Sequence, residues 1–506
     1  MAFLKLLEIL LCLLITIIVC EQSKHKNKPN VLLVLIDDMR HLGEEEVNLI
    51  NLNNLAGKSI YFRNAFAQQA LCAPSRNSLL TGRRPDSLRL YDFYSYWRDF
   101  VANYKTLPQV FKENGYDTYA VGKVFHPGES SNFTDDYPYS WTERPYHPSS
   151  EHYKNYPVCY DRRTKSMQKN LICPVVTKNQ PDKTLPDLEI LDYTINILNK
   201  RESDKPYFLA VGFHKPHIPL KYPKKYKDMV QKVQPPRFPF KPENLPLVSW
   251  HPWTDLRSRD DIKSLNISFP LGTMPHKWTM KIRQSYYAAA LYIDGLIGKL
   301  LSHINYSNTI VVLTSDHGWS LGENGLWAKY SNFDVALKVP FIFYVPDMVP
   351  KSIEPPVELL DIFPTLVELS GLGINIPKCQ NTYDRSILCF GGKSLVPLMK
   401  GNDNSKYYFA ISQYPRPSVY PQHDSDKPRL KNIRIMGYSV RTKQYRYTEW
   451  VHFNSTTFTI DWKLIYDGEL YDHDTDPDES NNLYTNIHYE HVKRYLSELL
   501  RNNYNT

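Results

Sequence analysis

The sequence predicts an α/β fold: a large mixed, mostly parallel sheet between helices, followed by a smaller C-terminal antiparallel sheet with a helix. Three observations carry this expectation. Asn30-Val31-Leu32-Leu33-Val34-Leu35-Ile36 is an unbroken apolar run rich in branched residues, the pattern of a central strand buried on both faces. Similar runs recur at 206–213 and 309–314, with helix-like periodicity between them, as parallel sheets require. From about residue 401 the pattern turns to short strand-like stretches at 408–414, 433–442, 445–453 and 464–471, then a helical segment over 488–499. The expected division is a large domain over 28–400 and a smaller one over 401–506.

Within the large domain the elements follow in order. Asp37 and Asp38 end the first strand abruptly, where open α/β sheets place ligands. Two adjacent acids repel one another, and a hard cation relieves that repulsion. Residues 49–59 read as a helix. A further helix from Pro74 through Leu80 sets Cys72 near free backbone N–H groups and the positive end of the helix dipole. A helix over 106–114 and a strand over 116–122 lead into Lys123 and His126. Residues 127–185 form a long ordered surface excursion rich in Tyr, Pro, Ser and Asn. A helix over 186–200 precedes the 206–213 strand, which runs into His214-Lys215-Pro216-His217. After an irregular, proline-rich stretch comes a helix over 276–301, with Tyr286, Ala289, Ile293, Leu296 and Leu300 on one apolar face. The 309–314 strand ends in Asp316 and His317. A polar-aromatic loop with Trp327, Lys329 and Tyr330 follows, then a strand over 339–345 and a helix over 357–369 that Pro364 kinks or restarts. Three strands thus end in Asp37/Asp38, His214 and Asp316/His317, and Lys123/His126 follow a fourth. They predict one pocket at one sheet edge, and the oxygen-rich set Asp37, Asp38 and Asp316 suits Ca²⁺.

Residues 1–20 of the 506 read as a signal peptide: Lys5 opens it, an apolar run spans 9–20, and Glu21 begins a polar stretch. That run is short for a membrane span, and no later stretch is long enough, so no stable membrane insertion is expected. The expected location is the secretory pathway, ending lysosomal or secreted. Of seven cysteines, Cys12 and Cys20 fall in the leader and five remain, an odd number. Cys159 with Cys173, and Cys379 with Cys389, are close enough to close two small loops, a pairing that leaves Cys72 single. Asn132, Asn266, Asn305 and Asn454 are glycosylation acceptors by sequence. The formal charge of +8 suits an anionic polymer. Nothing resembles a nucleic-acid module, so a sulfated or carboxylated glycan fits the compartment better.

The spacing Cys72-x-Pro74-x-Arg76, followed by Leu80-Thr81-Gly82-Arg83 and joined by Asp37-Asp38, Gly122-Lys123, His214 and Asp316-His317-Gly318, resembles the type I sulfatases, whose signature cysteine is oxidised to formylglycine. Blocks at 66–70, 81–86, 89–93, 121–128, 212–219, 327–334, 412–417 and 435–439 resemble the iduronate sulfatases within that family, and the resemblance spans nearly all of 28–490. It implies the alkaline-phosphatase-like sulfatase fold and hydrolysis of the 2-O-sulfate from non-reducing terminal iduronate in heparan or dermatan sulfate. It also implies Ca²⁺ and a 3-oxoalanine (formylglycine) made from Cys72 by formylglycine-generating enzyme. A monomer is expected. One geminal oxygen of the hydrated aldehyde attacks sulfur; the other, which serine lacks, later expels sulfate.

Carried over residue by residue, the resemblance places Asp37, Asp38 and Asp316 with Cys72 around the metal, and His317 on either the metal or the formylglycine oxygen. Arg76 stabilises the nucleophile's charge, and Lys123 and Lys329 clamp sulfate. His214 donates a proton to the leaving sugar oxygen, and His126 manages the second hydroxyl. Trp319 and Tyr330 either shape the sugar pocket or belong to the aromatic core. The chain departs from this pattern after the first acids, where Met39-Arg40-His41-Leu42-Gly43 passes quickly into Glu44-Glu45-Glu46-Val47-Asn48, a shorter acidic loop bearing on substrate choice. The segment over 349–357 is also short. The rival readings are a phosphoesterase or phosphonate hydrolase, and an inactive glycan-binding homologue.

Overall fold

The computed structural model of the protein describes residues 28–505 apart from 42, 44, 45, 162, 163 and 403–407. The 1–20 leader lies outside the described residues, as do Leu42, Glu44 and Glu45 of the acidic loop. The central sheet is built from β1 (Asn30–Asp37), β2 (Ile60–Phe62), β3 (Asp117–Gly122), β4 (Tyr207–Pro216), β5 (Thr309–Ser315), β6 (Phe341–Tyr344) and β7 (Lys351–Ile353), in the order β7-β2-β6-β5-β1-β4-β3. β1 runs parallel to β5, Asn30 opposite Thr309 through Ile36 opposite Ser315, and parallel to β4 on its other side. β3 continues the parallel set beyond β4. β6 is antiparallel to β5 and to β2, which makes the sheet mixed. Val31 through Ile36 are wholly buried, because helices cover both faces of β1 and each side chain of the run meets apolar neighbours.

The helices that matter for the site are α1 (Cys72–Thr81), α2 (Pro186–Lys200), α3 (His276–Leu301) and α4 (Ile362–Leu369). The buried face of α3 carries Tyr286, Ala289, Ile293, Leu296 and Leu300 and packs on β4. Every residue of α1 is buried, and Gly82 ends it at φ 65°, where a Cβ would lie 2.9 Å from Phe363.

One expected helix is corrected. Val357–Glu358 is not helical; it pairs in parallel with Ala65–Phe66, followed by a single 3₁₀ turn at Leu359–Asp361 before α4 begins. Glu358 and Asp361 cap that turn reciprocally, with the Glu358 amide donating to Asp361 Oδ2 at 2.9 Å. Pro364 falls in the first turn of α4, where its missing N–H costs nothing, so it marks where the helix starts after the 3₁₀ turn rather than a kink.

The second sheet is an antiparallel meander of β8 (Ala410–Arg416), β9 (Ile435–Arg441), β10 (Tyr445–Asn454) and β11 (Thr459–Asp472). Helix α5 (Glu490–Asn505) packs on β9 and β10, with Val492, Leu496 and Leu500 buried against Ile411, Tyr438 and Tyr447. Disulfides join Cys159 to Cys173 and Cys379 to Cys389; Cys72 is a free, buried thiol among the described residues. Asn132, Asn266, Asn305 and Asn454 are all exposed. No helix among the described residues is long and apolar enough to cross a membrane.

Candidate active site

The carboxyl ends of the four parallel strands and the amino end of α1 meet at one place. β1 delivers Asp37 and then Asp38, whose backbone turns at φ 64°. Tyr286 on α3 clamps that turn: its hydroxyl donates to the Asp38 carbonyl at 2.6 Å and accepts from the Arg40 amide at 2.9 Å. β5 delivers Asp316 and His317, and β3 delivers Lys123. Gly212 on β4 lets Lys123 in, since a Cβ there would stand 1.9 Å from the Lys123 carbonyl oxygen. α1 supplies Cys72 at its first residue and Arg76 one turn on. Lys329 follows the short Trp327–Ala328 strand.

These groups form one buried charge network. Arg76 bridges Asp37 Oδ1 (3.0 Å) and Asp316 Oδ2 (2.9 Å), and also donates to the Lys123 and Val124 carbonyls. Lys123 Nζ donates to both oxygens of Asp37, at 2.9 and 2.7 Å. Lys329 Nζ reaches Asp38 Oδ1 at 2.7 Å and Cys72 Sγ at 3.0 Å. His317 Nδ1 donates to the Gly318 carbonyl at 2.9 Å, so Nε2 is left as a lone-pair acceptor, 3.4 Å from Cys72 Sγ and 3.3 Å from Asp38 Oδ1. Arg76 therefore acts on the acids rather than touching Cys72 Sγ.

Burial and charge decide the protonation states. Burial raises Asp37, but Lys123, His217 and Arg76 outweigh it and hold its carboxyl well below the usual range. Burial raises Asp38 too, and there the Lys329 charge does not fully offset it. Asp316 is lowered because Arg76 overcomes its burial. Burial pushes the Cys72 thiol up to about 12, against the pull of Lys123 and Lys329, so the unoxidised side chain is a poor nucleophile at neutral pH.

The donor set fits a hard cation. One ligand atom each from Asp38, Cys72, Asp316 and His317 lies within 4.8 Å of the others, and Asp37, Asp38 and His217 form a second such group. Asp38 Oδ2 is buried with no hydrogen-bond partner, a cost that a cation would remove. Three carboxylates are balanced by Arg76, Lys123 and Lys329. A divalent ion would therefore leave the site net positive and ready for an oxyanion.

A cleft opens above Cys72, lined by His126, Lys154, His217, Asp255, Lys329 and Tyr330 among others. His126 packs on Phe93 at 4.6 Å, and its Nδ1 has no partner. The Tyr330 hydroxyl donates to Asp255. His214 does not line this cleft; its Nε2 lies 3.4 Å from Glu151, beside a neighbouring cavity. His217 stands there instead, with Nε2 3.8 Å from Asp38 Oδ2 and Nδ1 donating to the Ile218 carbonyl. β4 continues three residues beyond Phe213, so the chain emerges into the cleft later than the apolar run suggests. Trp319 is buried in the apolar core with Lys329 Nζ 5.6 Å from its ring, and does not line the cleft. In the acidic loop, Glu46 accepts from Tyr287 at 2.7 Å and pairs with Arg283 at 3.4 Å, so its charge is compensated. His217, Lys154 and Asp255 were not singled out from sequence. Only His217 carried a signal, its place in the His-Lys-Pro-His run.

The fold and this acid–cysteine–lysine cluster define a sulfuric ester hydrolase, and the chain belongs to the sulfatase family, whose model matches residues 29–372. A second model, described as N-sulphoglucosamine sulphohydrolase, C-terminal, matches residues 322–506. Within the family, the chain is 47% identical to the iduronate 2-sulfatase of Homo sapiens over 501 aligned residues, covering 90% of this chain and 91% of that one. A sulfatase of Formosa agariphila is 30% identical, over 78% of this chain and 77% of that one. The fold is shared with a phosphonate monoester hydrolase from Silicibacter pomeroyi, at 20% identity and a TM-score of 0.68 over 94% of this chain and 95% of that one.

Proposed function

We propose that this protein hydrolyses the 2-O-sulfate ester of a non-reducing terminal iduronate in heparan or dermatan sulfate, using Ca²⁺ and a formylglycine made from Cys72 by formylglycine-generating enzyme. The observation that carries this reading is the position of Cys72 Sγ, between Lys329 Nζ and His317 Nε2 on the floor of a cleft and within a buried cluster of acids. The choice of sugar follows the likeness to the human iduronate 2-sulfatase.

Asp37, Asp38 and Asp316, with an oxygen of oxidised residue 72, would hold Ca²⁺, which would supply a Lewis acid beside the sulfate. The hydrated aldehyde supplies an oxygen nucleophile and a second hydroxyl. Lys329 and Lys123 grip sulfate oxygens and the charge that grows on them. His317 Nε2, its tautomer held by Gly318, accepts the nucleophile's proton. His217 takes the role of donor to the leaving sugar oxygen: burial keeps its imidazole neutral before substrate binds, an anionic ester beside Nε2 raises its basicity so that Nε2 takes up a proton from solvent, and that proton passes to the leaving oxygen. His126 serves the second proton transfer. Arg76 holds Asp37 and Asp316 in register.

On the same reading, 28–400 is the catalytic unit and 401–506 a smaller one sewn to the site: Arg416 donates to the Tyr330 carbonyl at 2.8 Å, and Arg441 pairs with Asp334 at 3.1 Å. The protein is a monomer, secreted or lysosomal. The test is turnover of an iduronide 2-sulfate beside matched phosphate and phosphonate monoesters, with Ca²⁺ or EDTA, and the mass of the peptide containing residue 72. Sulfate release that EDTA abolishes and Ca²⁺ restores, with an aldehyde at residue 72, is expected. Preference for the phosphorus esters would overturn the reading, and an unoxidised Cys72 without turnover would favour a glycan-binding homologue.

A further inference from the structure

Lys154 follows the short Ser149–Tyr153 turn and lies half-buried between two cavities. It lines the Cys72 cleft with His126, His217 and Lys329, and also the neighbouring hollow walled by Asp187, His214 and Lys221. Its backbone is pinned: its amide donates to the Glu151 carbonyl at 2.8 Å, and its carbonyl accepts from Lys221 Nζ at 3.4 Å. Its ammonium carries no hydrogen bond or ion pair among the described residues.

The other cations around the cleft are engaged. Lys123 is held by Asp37, Lys329 by Asp38 and Cys72, Lys427 by Asp255 at 2.7 Å, and Arg259 by Asn155 at 3.0 Å. Arg259 has only this neutral partner, but among the lysines at the cleft Lys154 is the one whose ammonium is left for a ligand. Burial and the Lys123 charge disfavour its ammonium, while Asp37 and Glu151 support it. Such a group gains from an incoming anion.

A sulfated uronate brings two anions. Its sulfate is taken by the groups around Cys72, and its carboxylate, on the carbon across the ring from the sulfated one, needs a second cation at the cleft wall. Resting on the reading above, we propose that Lys154 binds the uronate carboxylate and so selects a uronate 2-sulfate over a neutral sugar sulfate.

The experiment compares an iduronide 2-sulfate with its methyl ester, which keeps sulfate, ring and leaving group but loses the second charge. The wild type is expected to prefer the acid. Lys154→Met is expected to cut the acid-to-ester ratio of kcat/KM by about tenfold to a hundredfold, the loss of one charge-assisted hydrogen bond, chiefly through KM. Lys154→Arg should retain most of the preference, and matching melting temperatures exclude misfolding. An acid-to-ester ratio unchanged in Lys154→Met, including equal losses on both substrates, overturns the proposal. A wild type that cleaves simple aryl sulfates but neither iduronide overturns the underlying substrate reading, and the proposal with it, and so differs from failure of the Lys154 assignment alone.

Discussion

Replacing Arg76 by Met tests the charge network at its centre. Methionine fills much of the guanidinium's volume but removes four donor contacts, to Asp37, Asp316 and the Lys123 and Val124 carbonyls. The two acids respond differently. Asp37 keeps both hydrogen bonds from Lys123. Asp316 keeps the Asp38 and His317 amides at 3.0 and 3.1 Å and the Ser315 hydroxyl at 3.5 Å, all neutral donors, and loses its cation. Removing one partner of a buried pair costs about 3–5 kcal/mol, and Asp316 should account for most of it. The pH dependence separates charge from packing. Arg76 lowers the folded-state pKa of Asp316, so this contribution is present above the unfolded carboxylate value and is lost as pH falls through the folded one. The stability deficit of Arg76→Met should therefore be full at neutral pH and shrink towards acid, where Asp316 protonates. Urea unfolding followed by circular dichroism in EDTA, at neutral and acidic pH, reads it. A deficit below about 1 kcal/mol, the scale of an exposed pair, or one independent of pH, would refute the reasoning.

His217→Ala should lower kcat by about a hundredfold to ten-thousandfold on a sugar sulfate and by much less on an aryl sulfate whose leaving group needs no proton, as parallel assays would show. Gly212→Ala drives a Cβ to within 1.9 Å of the Lys123 carbonyl oxygen; it should cost about 1–3 kcal/mol and weaken sulfate inhibition by displacing Lys123, read by melting and by the inhibition constant. Burial and Glu358 raise Asp361 to about 7 from an ordinary 3.8. The folded state therefore holds a proton that the unfolded state releases, and this group's contribution falls as pH rises between those values. Asp361→Asn should flatten that part of the stability profile, measured as melting temperature against pH.

The helices at 186–200 and 276–301 and the core of β1 were legible residue by residue, because apolar runs and helical periodicity are local patterns. Parity of the cysteines marked Cys72, and the acids and cations closing four apolar runs marked one sheet edge. The resemblance of the motifs then supplied the chemistry. What stayed hidden depended on pairing at a distance. The β1–β4 register shifts between Ile36 and Asp37, setting Asp37 opposite Pro216, and this carries His217 rather than His214 into the cleft. Val357–Glu358 is a strand rather than the start of a helix because Ala65–Phe66 offers an edge. Trp319 belongs to the core, Arg76 spends its donors on two carboxylates from different strands, and Lys154 reaches the cleft from a surface excursion. A local pattern records which residues are apolar and how often they recur. Which side chain meets which is set by where a strand stops pairing and what packs against it, and those contacts join residues dozens to hundreds of positions apart.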